Sequence, residues 1–255
     1  MKTTALAAIF FPAVLSAAEP EIMPTQVRFD LLVVSVPEAK ALELRAELQD
    51  PTRIAGAQEK LIKLVTKKQA ELVGWPTLTT KTGQRAVTEA VYELKYPTEF
   101  ANPMGNVHIG GQNPPVADEH QPPEAKKPPK ADTRVTVYAA VPTAFEKRDV
   151  GLTFEAEPTI GPDGKTVELQ IAPRHVQFLG YHKVPFEVKE EKIISTVEQP
   201  YFSTTLISTN ITVKNGSRVM LGFEKVQKPE GNIEITILQT TVEPVRDAAS
   251  SKRKR

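Results

Sequence analysis

The sequence predicts a mainly β fold of the α+β class: an N-terminal strand and two helices packed on a sheet, followed by antiparallel hairpins. Three observations carry that prediction. A β-branched apolar run, "QVRFDLLVVSV" at 26–36, reads as a buried strand. Two segments with apolar residues at helical spacing come next. From residue 134 onward the apolar runs alternate with period two between glycine-centred turns, as strands with unlike faces do.

Ahead of the first strand, "MKTTALAAIFFPAVLSAAEP" places Lys2 before an apolar run from Ala5 to Leu15 and small residues at Ser16-Ala17-Ala18. Residues 1–18 therefore read as a secretory signal, cut after Ala18. The run is shorter than the roughly 20 residues of a membrane-spanning helix. The chain contains no cysteine, so neither disulfides nor a lipidated cysteine are available, and core burial alone must hold it together.

Ser35 and Glu38 have capping-box spacing, which predicts a first helix through about Leu48. Asp50-Pro51 opens a second, with Ile54, Ala57, Leu61, Leu64 and Val65 as its apolar stripe and Lys60, Lys63, Lys67 and Lys68 facing outward. "AELVGWPTLTTKTGQRAVTEAVYELKYPTEF" at 70–100 reads as a hairpin turning at Lys81-Thr82-Gly83. On its return strand Ala86, Ala90, Tyr92, Leu94 and Tyr96 share one face, expected to be buried. Glu89, Glu93 and Lys95 share the wet one with Val87 and Val91. Trp75, beside Pro76, is expected in the core.

Residues 101–133 are proline-rich and poor in large apolar side chains, the composition of a flexible excursion. Strands are then expected at "RVTVYAAVP", "VGLTFEAEP", "KTVELQIAP" and "HVQFLGY", and through "TLISTNITV", "SRVMLGFEKV" and "NIEITILQTTVEP". Their turns fall at Gly161-Pro162-Asp163-Gly164, at Asn215-Gly216, read as a hairpin, and at Pro229-Glu230-Gly231. The chain thus divides into a signal at 1–18, a strand-helix-helix unit with its hairpin at 19–100, the excursion at 101–133, a β region at 134–245 and a basic tail at 246–255.

Three of these stretches together resemble the secretin homology domain, the outer-membrane module of type II and type III secretion and type IV pilus systems. "WPTLTTKTGQRAVTEAVYELKYPTEF" is similar to the family's early hairpin, with Pro76, Gly83, Tyr96 and Pro97 at its motif positions. "GLTFEAEPTIGPDGKTVELQI" matches a Val-Gly strand and an Asp-Gly turn through Val150, Gly151, Pro158, Ile160, Asp163 and Gly164. "PYFSTTLISTNITVKNGSRVMLG" is similar to a later element through Pro200, Thr209, Val213, Gly216, Leu221 and Gly222. The chain departs from the family where the module starts almost directly after the signal, and where Phe223-Glu224-Lys225 replaces the usual Gly and Val-Pro-Leu-Leu-Gly-Asp-Ile-Pro-like continuation.

The resemblance implies a short, divergent, oligomeric component of the bacterial envelope, exported to the periplasm, outer membrane or cell surface. Its partners would be further copies of itself or other pilus and secretion proteins. A surface-displayed β-rich binding module or adhesin is the alternative, with Trp75, Tyr92, Tyr96, Phe100 and Tyr181 as stacking surface. The formal charge of +1 and pI near 7.9 offer no field for nucleic acid. The tail "SKRKR" at 251–255 reads first as a solvated end and second as a contact with an anionic outer-membrane surface.

No catalytic motif is present: no cysteine nucleophile, no His-Glu-x-x-His, no Gly-x-Ser-x-Gly and no phosphate-binding glycine loop. His108, His120, His175 and His182 lack ligand spacing, and Glu155 with Glu157 reads as a solvated strand face. The expectation is a non-enzymatic protein without cofactor or metal.

Overall fold

The computed structural model describes residues 25–101, 140–186 and 195–245, except the side chains of 185, 186 and 195. The signal at 1–18, most of the 101–133 excursion and the tail at 246–255 lie outside the described residues. In chain order the elements are β1 (Thr25–Pro37), α1 (Glu38–Gln49), α2 (Ile54–Thr66), β2 (Glu71–Gly74), β3 (Thr77–Lys81) and β4 (Ala86–Ala101). Then come β5 (Val141–Ile160), β6 (Thr166–Ile171), β7 (Arg174–Phe186), β8 (Ser195–Leu206), β9 (Thr209–Lys214), β10 (Arg218–Lys225) and β11 (Asn232–Pro244). The fold is mainly β, of the α+β class.

β1 is apolar on both faces because both are covered. Its odd-numbered residues Val27, Phe29, Leu31 and Val33 face a second sheet, while Leu32, Val34 and Val36 face the helices. β11 pairs with it antiparallel from Thr25↔Pro244 to Pro37↔Asn232, so the first and last strands form the centre of one sheet. β10 flanks β11, and β2 and β3 flank β1.

Against one face lie α1 and α2, through Ala41, Leu44, Leu48, Ile54, Ala57 and Leu61, packed on Leu32, Val34, Val36, Ile233, Ile235 and Ile237. Against the other lies the second sheet, with Leu152, Phe154, Ala156, Val167, Leu169, Ile171 and Val213. Phe29 meets Phe154 edge to face at 6.1 Å. Each such fully buried side chain is worth about 1.5–3 kcal/mol, so this double core is what holds a cysteine-free chain together.

Several expectations need correction. α1 starts after Pro37 without a side-chain cap, because Ser35 belongs to β1, where its hydroxyl accepts a hydrogen bond from Asn232. α2 starts at Ile54; Asp50 instead closes a turn, accepting from the backbone N–H of Thr52 at 2.8 Å.

The 70–100 segment is not a hairpin. β3 pairs with β1 in the first sheet, whereas β4 pairs with β5 in the second. Gly83 turns the chain between sheets, and its N–H donates to the Pro158 carbonyl at 2.6 Å. Asn215-Gly216 is likewise a corner, since β9 pairs with β6 and β10 with β11. The Asn215 N–H is held by Lys165 of one sheet and the Gly216 N–H by Thr240 of the other. The turns at 161–164 and 229–231 do close hairpins, β5–β6 and β10–β11.

Trp75 is 45 % exposed rather than in the core, because it falls in the break between β2 and β3, outside either strand. The expected buried face of β4 is covered only in part: Ala90 and Tyr92 are exposed and Ala86, Leu94 and Tyr96 half-buried, because β4 leaves the sandwich.

Candidate functional site

The feature that stands apart from the packed core is a pair of two-stranded ribbons. β4 and β5 stay paired from Ala86↔Ala156 to Ala101↔Val141, and β7 and β8 from Arg174↔Leu206 to Phe186↔Ser195. β5 and β7 join the ribbons only at Gly151↔Val176, Leu152↔His175 and Thr153↔Arg174. Beyond that junction neither ribbon has a third strand among the described residues, so the edges of β4, β5, β7 and β8 are all open.

One glycine stands at the fork and another farther along β7. Gly151 has φ +134°, and a Cβ there would lie 2.2 Å from the Ala90 carbonyl oxygen, so only glycine lets β4 approach. Gly180, at φ +127°, sits where the β7–β8 register slips between Phe178 and Gly180. A bulge with a glycine turns a strand out of its plane.

Past the fork the ribbons touch through side chains. Tyr96 of β4 packs on Phe202 of β8 at 5.8 Å, and the Arg148 guanidinium of β5 lies over the same Phe202 ring at 4.9 Å. Arg148 also donates to Thr204 Oγ1 at 3.1 Å, and Gln199 Nε2 to the Pro97 carbonyl at 3.3 Å. Phe178 continues the stack against Phe202 and Tyr181. The Tyr96 hydroxyl donates to Glu146 at 3.3 Å; desolvation first, and then that carboxylate, pushes its pKa up. Phe145 and Tyr201 on the far faces, and Tyr92 and Tyr181 on the same faces as the contact, are each half exposed or more. Charges are interleaved among them, with Lys147 2.7 Å from Glu93 and Lys95 over the Phe145 ring.

Of the motif positions in the sequence, Gly151 stands at the fork, and Tyr96 and Pro97 lie farther along the first ribbon, where it touches the second. Pro200 lies opposite Tyr181 on the second ribbon. Gly83 meets Pro158 at one corner between the sheets, and Pro76 accepts a hydrogen bond from the Leu31 N–H at 3.0 Å. Asp163 and Gly164 form the β5–β6 turn, next to the Gly216 corner. The Asp163 carboxylate accepts from the backbone N–H groups of Thr166 and Lys165 and from the Thr166 hydroxyl, which holds its pKa down at about 2. Gly222 is buried where β10 slips register, and a Cβ there would meet Ile207 at 2.7 Å.

Arg148, Phe202 and Gly180 were not singled out from the sequence. Gly180 alone carried a readable signal, as a glycine interrupting an apolar run.

His175 of β7 reaches the first sheet. Its Nδ1 lies 2.7 Å from the Glu234 carboxylate, which is only 2 % exposed between the two sheets. Ser35, Gln177, Glu71 and Lys228 line a cavity of about 130 Å³ beside this pair. Glu155 is in an ion pair with Arg85 at 2.5 Å, while Glu157 lines a concave face of about 340 Å³ on β5, β6 and β9. Among the described residues no group of three or more His, Asp or Glu side chains is placed to hold a metal ion. His108 and His120 lie outside the described residues.

No family model matches the chain, and no curated protein matches it. Its backbone is similar to that of solved secretins. These include the InvG secretin-domain β-barrel of the Salmonella SPI-1 injectisome, at TM-score 0.39 and 11 % identity over 90 % of this chain and 66 % of that one. The type II secretin GspD of enteropathogenic Escherichia coli gives 0.38 and 13 % over 91 % of this chain and 74 % of that one. Aeromonas hydrophila ExeD gives 0.39 and 12 %, over 89 % of this chain and 50 % of the other. The chain thus spans half to three quarters of these structures' lengths.

Proposed function

We propose that the chain is a non-enzymatic, secretin-like structural component of a type IV pilus or secretion apparatus in the bacterial envelope. It works by pairing strand edges with further copies of itself or with another protein of that apparatus. The observation that carries this reading is the pair of ribbons with open edges. A two-stranded ribbon is marginal in water, and its unpaired N–H and C=O groups are a template for another strand. β4 runs antiparallel to β5, as do β6 and β7, and β8 and β9 run antiparallel to those in turn. The free edge of β4 and the free edge of β8 and β9 therefore run in opposite directions at the two sides of one sheet. A second copy added head to tail continues the antiparallel pattern, and such contacts generate rings when the rotation closes.

The order of the three motif stretches supports the family reading. The secretin-like part is proposed to span 70–100 and 134–245, with 101–133 inserted at the first ribbon's tip as a docking tether. Export is proposed from residues 1–18, and a contact of the basic tail with the outer-membrane surface from 251–255.

The deciding measurement is the mass of the exported chain, residues 19–255, by light scattering, with and without liposomes. A large assembly, formed alone or with lipid, is the expected result. A monomer at all concentrations, indifferent to lipid, would reject self-pairing.

A binding-module reading has one observation in its favour, the concave face of β5, β6 and β9. There Glu157, Gln170 and Asn210 form one polar rung and Thr159, Glu168 and Thr212 the next. Saturable glycan binding by a monomer, lost in Gln170→Ala, would favour it.

A further inference from the structure

We infer that the fork is a hinge, and that the Tyr96–Phe202–Arg148 contact is a latch that folds the two ribbons on each other until a second copy of this chain displaces it. The inference rests on the strand-edge reading above and adds to it how pairing is restrained in a lone subunit.

Its first support is the mismatch in pairing. Backbone hydrogen bonding between the ribbons ends at Gly151↔Val176, while within each ribbon it continues to Ala101↔Val141 and Phe186↔Ser195. Everything beyond the fork is joined across the ribbons by side chains, and side chains can exchange partners without breaking a ladder. Two glycines, Gly151 at the fork with φ +134° and Gly180 farther along β7 with φ +127°, supply its second support. Positive φ is open to glycine over a broad region, so the backbone can rotate there where other residues would be locked.

The third is the composition of the contact. One ring, Phe202, meets both Tyr96 and the Arg148 guanidinium of the other ribbon, and Arg148 then reaches Thr204. Arg148 and Thr204 are exposed, and Tyr96, Phe202 and Gln199 are half buried, so water and competing groups reach every part of the latch. Gln199 spends its amide on the Pro97 carbonyl, at the place where the β4–β5 register slips between Pro97 and Glu99. A latched β8 thus lies face to face with β4, which leaves the edges of both strands open but fixes the two ribbons in an orientation that neighbouring copies must change before they add to both edges.

The occupant is a second copy rather than another partner because the unfinished parts match one another. β4 and β8 are complementary in direction, and their ribbons expose the same kind of half-buried aromatic and valine side chains, Val91 and Tyr92 on one and Tyr181, Val184 and Tyr201 on the other.

The absence of cysteine makes the test direct. Glu99→Cys and Lys183→Cys, exposed on the two ribbons, take spin labels in the full chain. Inter-label distances are compared with and without Arg148→Gln and Phe202→Leu, alongside the concentration at which light scattering finds half the chain assembled. Phe202→Tyr, which keeps the ring, is the rescue control.

The expected result is a single narrow distance in the parent and in the Phe202→Tyr variant. The Arg148→Gln/Phe202→Leu variant should give a longer, broader distribution and assemble at a concentration at least tenfold lower. If the double variant fails to fold, Arg148→Gln alone, at an exposed position, serves with a smaller shift of the same sign. An unchanged distance distribution overturns the latch even where the chain assembles. An opened fork with no gain in assembly overturns the restraint. If no form assembles while the fork opens, the strand-edge reading fails with it, and the hinge survives as a property of the monomer.

Discussion

At the scale of single residues, Gly151 and Gly216 show how one residue type answers two different demands. Both hold positive φ, +134° and +79°, but around Gly216 a Cβ would meet nothing within 4 Å, whereas at Gly151 it would press on Ala90 and Val91. Gly216→Ala therefore pays only the left-handed strain, about 1 kcal/mol. Gly151→Ala must also push β4 off β5, and about 3 kcal/mol is expected. Urea unfolding of the two variants separates these costs, and equal losses would mean the fork is not crowded. Asp163 sets a pH dependence of known sign. Its folded carboxyl lies at about 2, below the ordinary 3.8, because backbone and hydroxyl donors hold the charged form. A depressed carboxylate stabilises the fold fully above its unfolded value, so this contribution fades as pH falls from 3.8 towards 2. Asp163→Asn, which keeps an acceptor oxygen but does not titrate, should flatten the stability profile in that window. A profile identical to the parent's would assign the acid loss to other carboxylates. Between the sheets, His175→Ala leaves the buried Glu234 carboxyl without its partner and should cost about 2 kcal/mol or more. Thermal melts that do not move would place that carboxyl in water.

At the scale of elements, the central strands and the ribbons differ in what protects their amides. β1 and β11 pair along their full length and are covered on both faces, while past Gly151 the ribbons have open edges and exposed faces. Hydrogen exchange should therefore be slowest at 27–36 and 233–240 and at least a hundredfold faster at 89–96 and 180–184; uniform protection would mean that the ribbons are already paired. The same contrast explains what was legible. β1, the stripe of α2 through Ile54, Ala57 and Leu61, and the Gly161–Gly164 hairpin follow from local periodicity and turn chemistry, and they are where the sequence places them. Glycine turns at 83 and 216 are equally local, but a turn fixes the chain's change of direction and not the strand it will pair with. Both were read as hairpins, and both are corners between sheets, because the partner is chosen by long-range burial. Trp75 is open for a related reason: a tryptophan beside a proline carries no signal that the chain breaks there between two strands. Of the candidate site, the glycines and Tyr96-Pro97 were visible as motif positions, whereas Arg148 and Phe202 acquire a role only when two ribbons distant in sequence are folded together.

For the whole molecule, the pairing of the first strand with the last decides how the fold can be divided. A boundary drawn at the proline-rich excursion looks natural in the sequence, yet β1 takes β11 as its neighbour and β4 takes β5, so both sides of that boundary contribute to both cores. Residues 25–101 alone would carry α1 and α2 against a sheet lacking Ile233, Ile235 and Ile237, and residues 140–245 alone would leave Leu152, Phe154 and Leu169 without Phe29 and Leu31. Each fragment is therefore expected to bury too little apolar surface to offset its ordering entropy. The excursion itself joins Ala101 to Val141, which are direct ladder partners, so a far shorter connection suffices. Two results are therefore expected from one region. Deleting 103–130, which leaves 102 and 131–140 to close the ribbon, should keep the melting temperature within about 2 °C of the parent's. Residues 19–101 and 134–245 expressed apart should each lack cooperative unfolding by circular dichroism, and should regain it as an equimolar complex when mixed. A 134–245 fragment that melted cooperatively alone would make it an independent domain, and the shared central pair of β1 and β11 would then be decoration on a core that does not need it.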